Sequence, residues 1–172
     1  MVMAMTGIIV PGVIVQALPA SGDQPPAAPA NFTVRSRSGR HMAVLDFQAR
    51  RVSVFEDRKG ARLPLWTVQG WSPVAAIGDV GPTLALGHPG NNLLPLDANE
   101  NTVIVSLYQG GSLVREVKLG EILPTARLRR TISHVEWGTH VGFNTQGRYV
   151  VETEDKRLLA FGTAGDPEVV AR

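Results

Sequence analysis

Three stretches of this chain share one outline, and that internal repetition limits what it can fold into more than any other feature. Each has a β-rich run, a turn closing on glycine, a second run, a polar turn, and a third run ending on an apolar residue. They lie at Val34 to Phe55, Ala75 to Leu96 and Val141 to Phe161. The glycines Gly39, Gly81 and Gly147 stand 16, 15 and 14 residues before the closing apolar residue. Spacing and polarity that agree in three places point to a duplicated antiparallel β-meander.

A fourth run extends the unit. VSVFEDRKGARLPLWTV aligns with VIVSLYQGGSLVREVKL, so the first unit is expected to hold strands at Phe32 to Arg35, Met42 to Phe47, Val52 to Phe55 and Leu65 to Val68. Met42 to Phe47 is apolar at successive positions, which is the pattern of a strand covered on both faces. Eighteen glycines and twelve prolines in 172 residues fit many short strands joined by tight turns. The expected fold class is all-β. About ten or eleven strands form blade-like antiparallel β-meander units, a partial propeller or a sandwich-like arrangement, with a small helical insertion near Gly120 to Arg130.

The domain organisation expected is a segment over 1–30 followed by one β domain over 31–172. Met1 to Ala20 carries no charged residue, Ile8 to Val15 is nearly all aliphatic, and a Pro/Ala tract runs from Pro25 to Ala30. This is the outline of a secretory signal and a stiff spacer, although the first basic residue is Arg35. Periplasmic or secreted placement follows as the expectation, with membrane association or a cytoplasmic tail as the alternatives. Any membrane contact would be made through the N-terminal segment.

Charge is segregated along the chain. Residues 31–62 carry +5, 63–114 carry −3 and 115–130 carry +3, within a net +2. There is no cysteine, so neither disulfides nor thiolate metal sites support the fold.

The four-stranded meander resembles the blade of a β-propeller of the surface-layer or quinoprotein-like type, as found among small exported bacterial proteins. The residues carrying the resemblance are the turns Ser36-Arg37-Ser38-Gly39, Asp79-Val80-Gly81 and Thr145-Gln146-Gly147, between the first two strands of each unit. The resemblance implies packed blades and carries no activity with it. It covers two full units and a third that lacks a last strand. The turn glycines are 42 and then 66 residues apart.

Arg127, Arg129 and Arg130 in the insertion, with His134 and Trp137 beyond it, are the candidate anion- or partner-binding residues. Clustered guanidinium groups bind carboxylates or phosphates through forked hydrogen bonds; the alternatives are that they solvate a surface insertion or pair with acidic residues of the 63–114 segment. Three arginines without interleaved aromatic residues give no strong nucleic-acid signal. His134, Glu136 and His140 have metal-type side chains, yet extended backbone holds the two histidines about 20 Å apart. No metal site, cofactor or catalytic residue is therefore assigned. Ser133 beside His134 is an adjacency only, since neighbours on a strand face opposite ways. Trp66, Trp71 and Trp137 stand at the passages between units, where tryptophans seal apolar contacts.

These features point to a non-catalytic binding or assembly module. Its partner is another protein or a second copy, held at an open strand edge such as that of the incomplete third unit. The alternative is an enzyme or a carbohydrate- or anion-binding domain using the basic insertion and the Trp-rich strand ends.

Overall fold

In the computed structural model the described residues are 28–122 and 128–170. The segment expected to act as a signal therefore lies, except for its last three residues, outside them. So does Arg127. The fold is all-β, with four antiparallel sheets.

The first sheet holds β1 (Phe32–Arg35), β2 (His41–Asp46), β3 (Arg51–Arg58) and β4 (Ala61–Gln69), paired in chain order. The second holds β5 (Ala75–Ile77), β6 (Thr83–Gly87), β8 (Val103–Gln109) and β9 (Ser112–Lys118). Strand β7 (Leu93–Leu94) leaves that succession and joins the third sheet, with β10 (Arg129–Arg130) and β11 (Val135–Glu136). The fourth holds β12 (Gly138–Phe143), β13 (Tyr149–Thr153), β14 (Leu158–Phe161) and β15 (Glu168–Val170), again in chain order.

Side-chain alternation places the core on both sides of the second sheet. On β6, Leu84 and Leu86 join Ala43, Leu45, Val52 and Val54 of the first sheet in one buried cluster. Ala85 points the other way, into a second cluster with Leu107, Trp137, Tyr149, Val151 and Phe161. All five residues of β6 are buried. Trp66 and Trp71 pack on the first cluster, and Trp71 meets Phe32 and Phe47 edge-on at ring-centroid distances of 6.3 and 5.2 Å.

The sheets are joined by specific polar contacts as well. Asp79 of the β5–β6 turn accepts hydrogen bonds from Ser38 of the β1–β2 turn, from the backbone N–H at 3.1 Å and from the hydroxyl at 2.5 Å. Burial opposes the Asp79 charge, but the donors Ser36 and Ser38 outweigh it and hold the carboxyl below its ordinary range. Arg115 of β9 donates to the carbonyls of Gly162 and Gly165, at 3.1 and 2.6 Å, and to Glu121. It thereby pins the β14–β15 turn to the second sheet.

Three expectations are corrected. The helical insertion is not seen among the described residues: a single 3-10 turn spans Leu119–Glu121. Its backbone donors are already committed, Leu119 N–H to Thr102 O and Gly120 N–H to Glu100 O, while Leu119 and Ile122 are buried in the core. The third run of the second unit is β8, because Leu93–Leu94 pairs with Val135 and Glu136 instead. The last unit does have a fourth strand, and β15 covers the edge of β14 that was expected to stand open.

Candidate functional site

Strands β10 and β11 are joined by a tight turn. Thr131 N–H donates to His134 O at 2.9 Å, and His134 N–H donates to the Thr131 hydroxyl at 3.2 Å. The antiparallel register sets Arg129 opposite Glu136. Arg129 Nε donates to Glu136 Oε2 at 2.6 Å, and its Nη2 reaches the same oxygen. His134 Nε2 lies 3.4 Å from Glu136 Oε1, and its Nδ1 is 3.0 Å from the Ser133 hydroxyl. That last contact arises because Ser133 and His134 sit in a bend, where neighbouring side chains are not forced to opposite faces.

The structure thus brings Arg129, His134 and Glu136 together on one small sheet, with the Arg129 charge already answered by a carboxylate. Arg130 is exposed and pairs through its backbone with Val135. Trp137 turns away from this group. It is wholly buried, and its indole N–H donates to Asn91 O at 3.3 Å.

Beneath Trp137 runs an aromatic line that sequence reasoning missed. His140 meets Trp137 edge-on at 5.1 Å between centroids, and Tyr149 meets Phe143 in the same manner at 5.3 Å. The Tyr149 hydroxyl stands 3.0 Å from His140 Nδ1. Burial lowers the His140 pKa to about 4, aided by nearby His88, so the ring is neutral at pH 7. Burial raises that of Tyr149. His140 Nε2 is sealed from solvent without a hydrogen-bond partner and abuts Gly87, where a Cβ would come within 2.8 Å of it. The pattern that betrays this burial is weak: on β12 the inward positions are Gly138 and His140, while Thr139 and Val141 face out.

Two hollows lie elsewhere on the surface. One of about 380 Å³ is lined by residues that include His88, Thr102, Ser106 and Glu116. Another, of about 340 Å³, is lined by residues that include Thr83, Gln109, Gln146, Arg148 and Thr163. Neither includes Arg129, Arg130 or His134. Among the described residues no three His, Asp or Glu side chains are grouped to hold a metal ion, and no helix is long and apolar enough to cross a membrane.

An exposed apolar group lies on the outer strands of the first two sheets. Strand β4 pairs only with β3, and its first five residues, Ala61 to Leu65, are all exposed. Leu63 and Leu65 are 39% and 40% exposed, and Leu113 and Val114 of β9 are 49% and 39% exposed. The β8–β9 turn brings the two strands near each other: a Cβ on Gly111 would lie 3.5 Å from Trp66 Cβ. Arg58, Lys59 and Arg62 stand exposed at the head of β4. A scan against protein-family models finds no match to the chain, and a search of curated proteins finds none.

Proposed function

We propose that the protein is a binding module that takes an extended segment of another protein on the open edge of β4. The carrying observation is that unpaired edge with the exposed Leu63 and Leu65 upon it, beside the β8–β9 turn that leads into the exposed Leu113 and Val114. An edge strand offers a row of unused N–H and C=O groups, and adding a strand satisfies them while apolar side chains set the register. Pro64 shortens that row by one donor.

The partner's chemistry follows from the rim. Arg58 is paired with Glu56, whereas the exposed Lys59 and Arg62 leave the acidic side of an interface to be supplied from outside, so the segment is apolar and flanked by Asp or Glu. The face-to-face stacking of four-stranded meanders is consistent with the blade resemblance. Our reading also keeps the chain exported, which cell fractionation tests.

A photo-crosslinking residue at Leu65, compared with one at Val141, tests the binding reading. We expect a discrete adduct at position 65 in cells, absent at position 141 and lost when Lys59 and Arg62 are both changed to Glu. Equal adducts at both positions, or none at 65, would overturn it. A dimer in native mass spectrometry with the same crosslink would replace the outside partner by a second copy.

A further inference from the structure

Between the second and fourth sheets, the 340 Å³ hollow, which no residue of β4 lines, is rich in hydrogen-bond donors. Arg148 enters it from a rigid turn. Its backbone N–H donates to Asn144 Oδ1 at 2.9 Å, and the same oxygen takes the Gln146 N–H at 3.1 Å. The opposite wall is the β14–β15 turn. Because Arg115 takes the Gly162 carbonyl, planarity of the trans peptide directs the Thr163 N–H away from Arg115. No backbone acceptor among the described residues takes the Thr163 or Ala164 N–H. The side-chain amides of Gln109 and Gln146 and the hydroxyls of Thr83 and Thr163 complete the lining.

One acidic group already occupies the guanidinium. Glu168, at the start of β15, pairs with Arg148 Nη1 and is itself largely exposed. Nη1 is sealed from solvent yet lacks an aligned hydrogen bond. A carboxylate from outside would gain the guanidinium fork, the turn N–H groups and a side-chain amide, whereas Glu168 is tied to its strand.

We propose that this hollow binds the carboxylate of a peptide, with Glu168 as the built-in occupant that the ligand displaces from Arg148. The site is separate from β4 and stands or falls apart from the strand-binding reading.

The test is an NMR titration of the full chain with three peptides: trialanine bearing a free carboxylate, its C-terminal amide, and Ala-Asp-Ala blocked at both ends. At least one carboxylate peptide should shift the side-chain amides of Gln109 and Gln146 and the Thr163 N–H. The blocked trialanine should not. Binding of free trialanine alone identifies a C-terminus as the ligand, and binding of the Asp peptide alone identifies a side chain. Glu168→Gln should bind about three-fold tighter, the scale of a partly exposed ion pair. Arg148→Lys should weaken binding and Arg148→Met should abolish it. If Arg148→Met fails to fold, the Lys and Gln variants still decide. No shift with any peptide, shifts that survive Arg148→Met, or unchanged affinity in Glu168→Gln would overturn the proposal.

Discussion

The Tyr149 hydroxyl and His140 Nδ1 lie 3.0 Å apart in the interior, and among the described residues each is the other's only side-chain hydrogen-bond partner. With the phenol donating to Nδ1, the neutral His140 carries its hydrogen on Nε2. Nε2 is then the donor left without an acceptor against Gly87. Protonating Nδ1 would turn an acceptor into a donor facing another donor.

Stability should therefore fall in acid over a defined window. The folded His140 has a pKa of about 4 and the ordinary value is 6.5, so the unfolded chain binds the extra proton between them. As pH drops from 6.5 toward 4, the fold loses up to about 3 kcal/mol from this group. Urea unfolding at pH 7 and pH 4.5 measures the loss. His140→Gln should flatten that part of the pH dependence, and an unchanged slope would mean that another group is responsible.

Turn glycines should differ in cost although they share a backbone conformation. Gly39 and Gly147 have φ of +75° and +76°, but a Cβ on Gly39 meets open space, while one on Gly147 would stand 2.8 Å from Val80 Cβ. Gly39→Ala should cost about 1 kcal/mol from the left-handed backbone alone. Gly147→Ala should cost about 1–3 kcal/mol more from overpacking. Adding Val80→Gly should recover much of that excess in chemical denaturation.

Arg115→Met should loosen one turn more than it changes the sheets. The side chain is nearly buried, spans Gly162, Gly165 and Glu121, and lies over the Phe161 ring at 5.5 Å. Removing it strands two carbonyls and a carboxylate, at a cost of about 3 kcal/mol. Hydrogen exchange should accelerate in β15 before β6.

Asp79→Asn should cost about 1–2 kcal/mol, because one acceptor serves two donors of Ser38 across two sheets. The carboxyl is held below its ordinary value of 3.8, so its contribution is present above that pH and disappears below it. The mutant and the parent should therefore converge in stability as the pH falls well below 3.8, in a comparison of thermal unfolding.

Local pattern made the first sheet legible: its alternation and turn residues predicted β1 to β4 within a few residues. The third sheet was not legible, because β7 and β11 lie about forty residues apart in sequence and Leu93–Leu94 reads equally well as the end of the preceding meander. Strand β15 is three residues long and follows Gly-Asp-Pro, which reads as a tail. At the expected site, the sequence reading looked to the 63–114 segment for acidic partners, whereas the β10–β11 register sets Arg129 on Glu136. The inward turn of His140 was hidden because glycine leaves no apolar mark on the face it shares.

Strand β6 touches both apolar clusters, Leu84 and Leu86 on one side and Ala85 on the other. Two separate cores would melt independently, but here three consecutive residues are divided between the two, and neither core can be exposed without withdrawing a wall from its neighbour. The second sheet consequently couples the first sheet to the fourth. Damage to Leu84 would be reported by Tyr149, on the far side of the strand, as faithfully as by Val54 beside it.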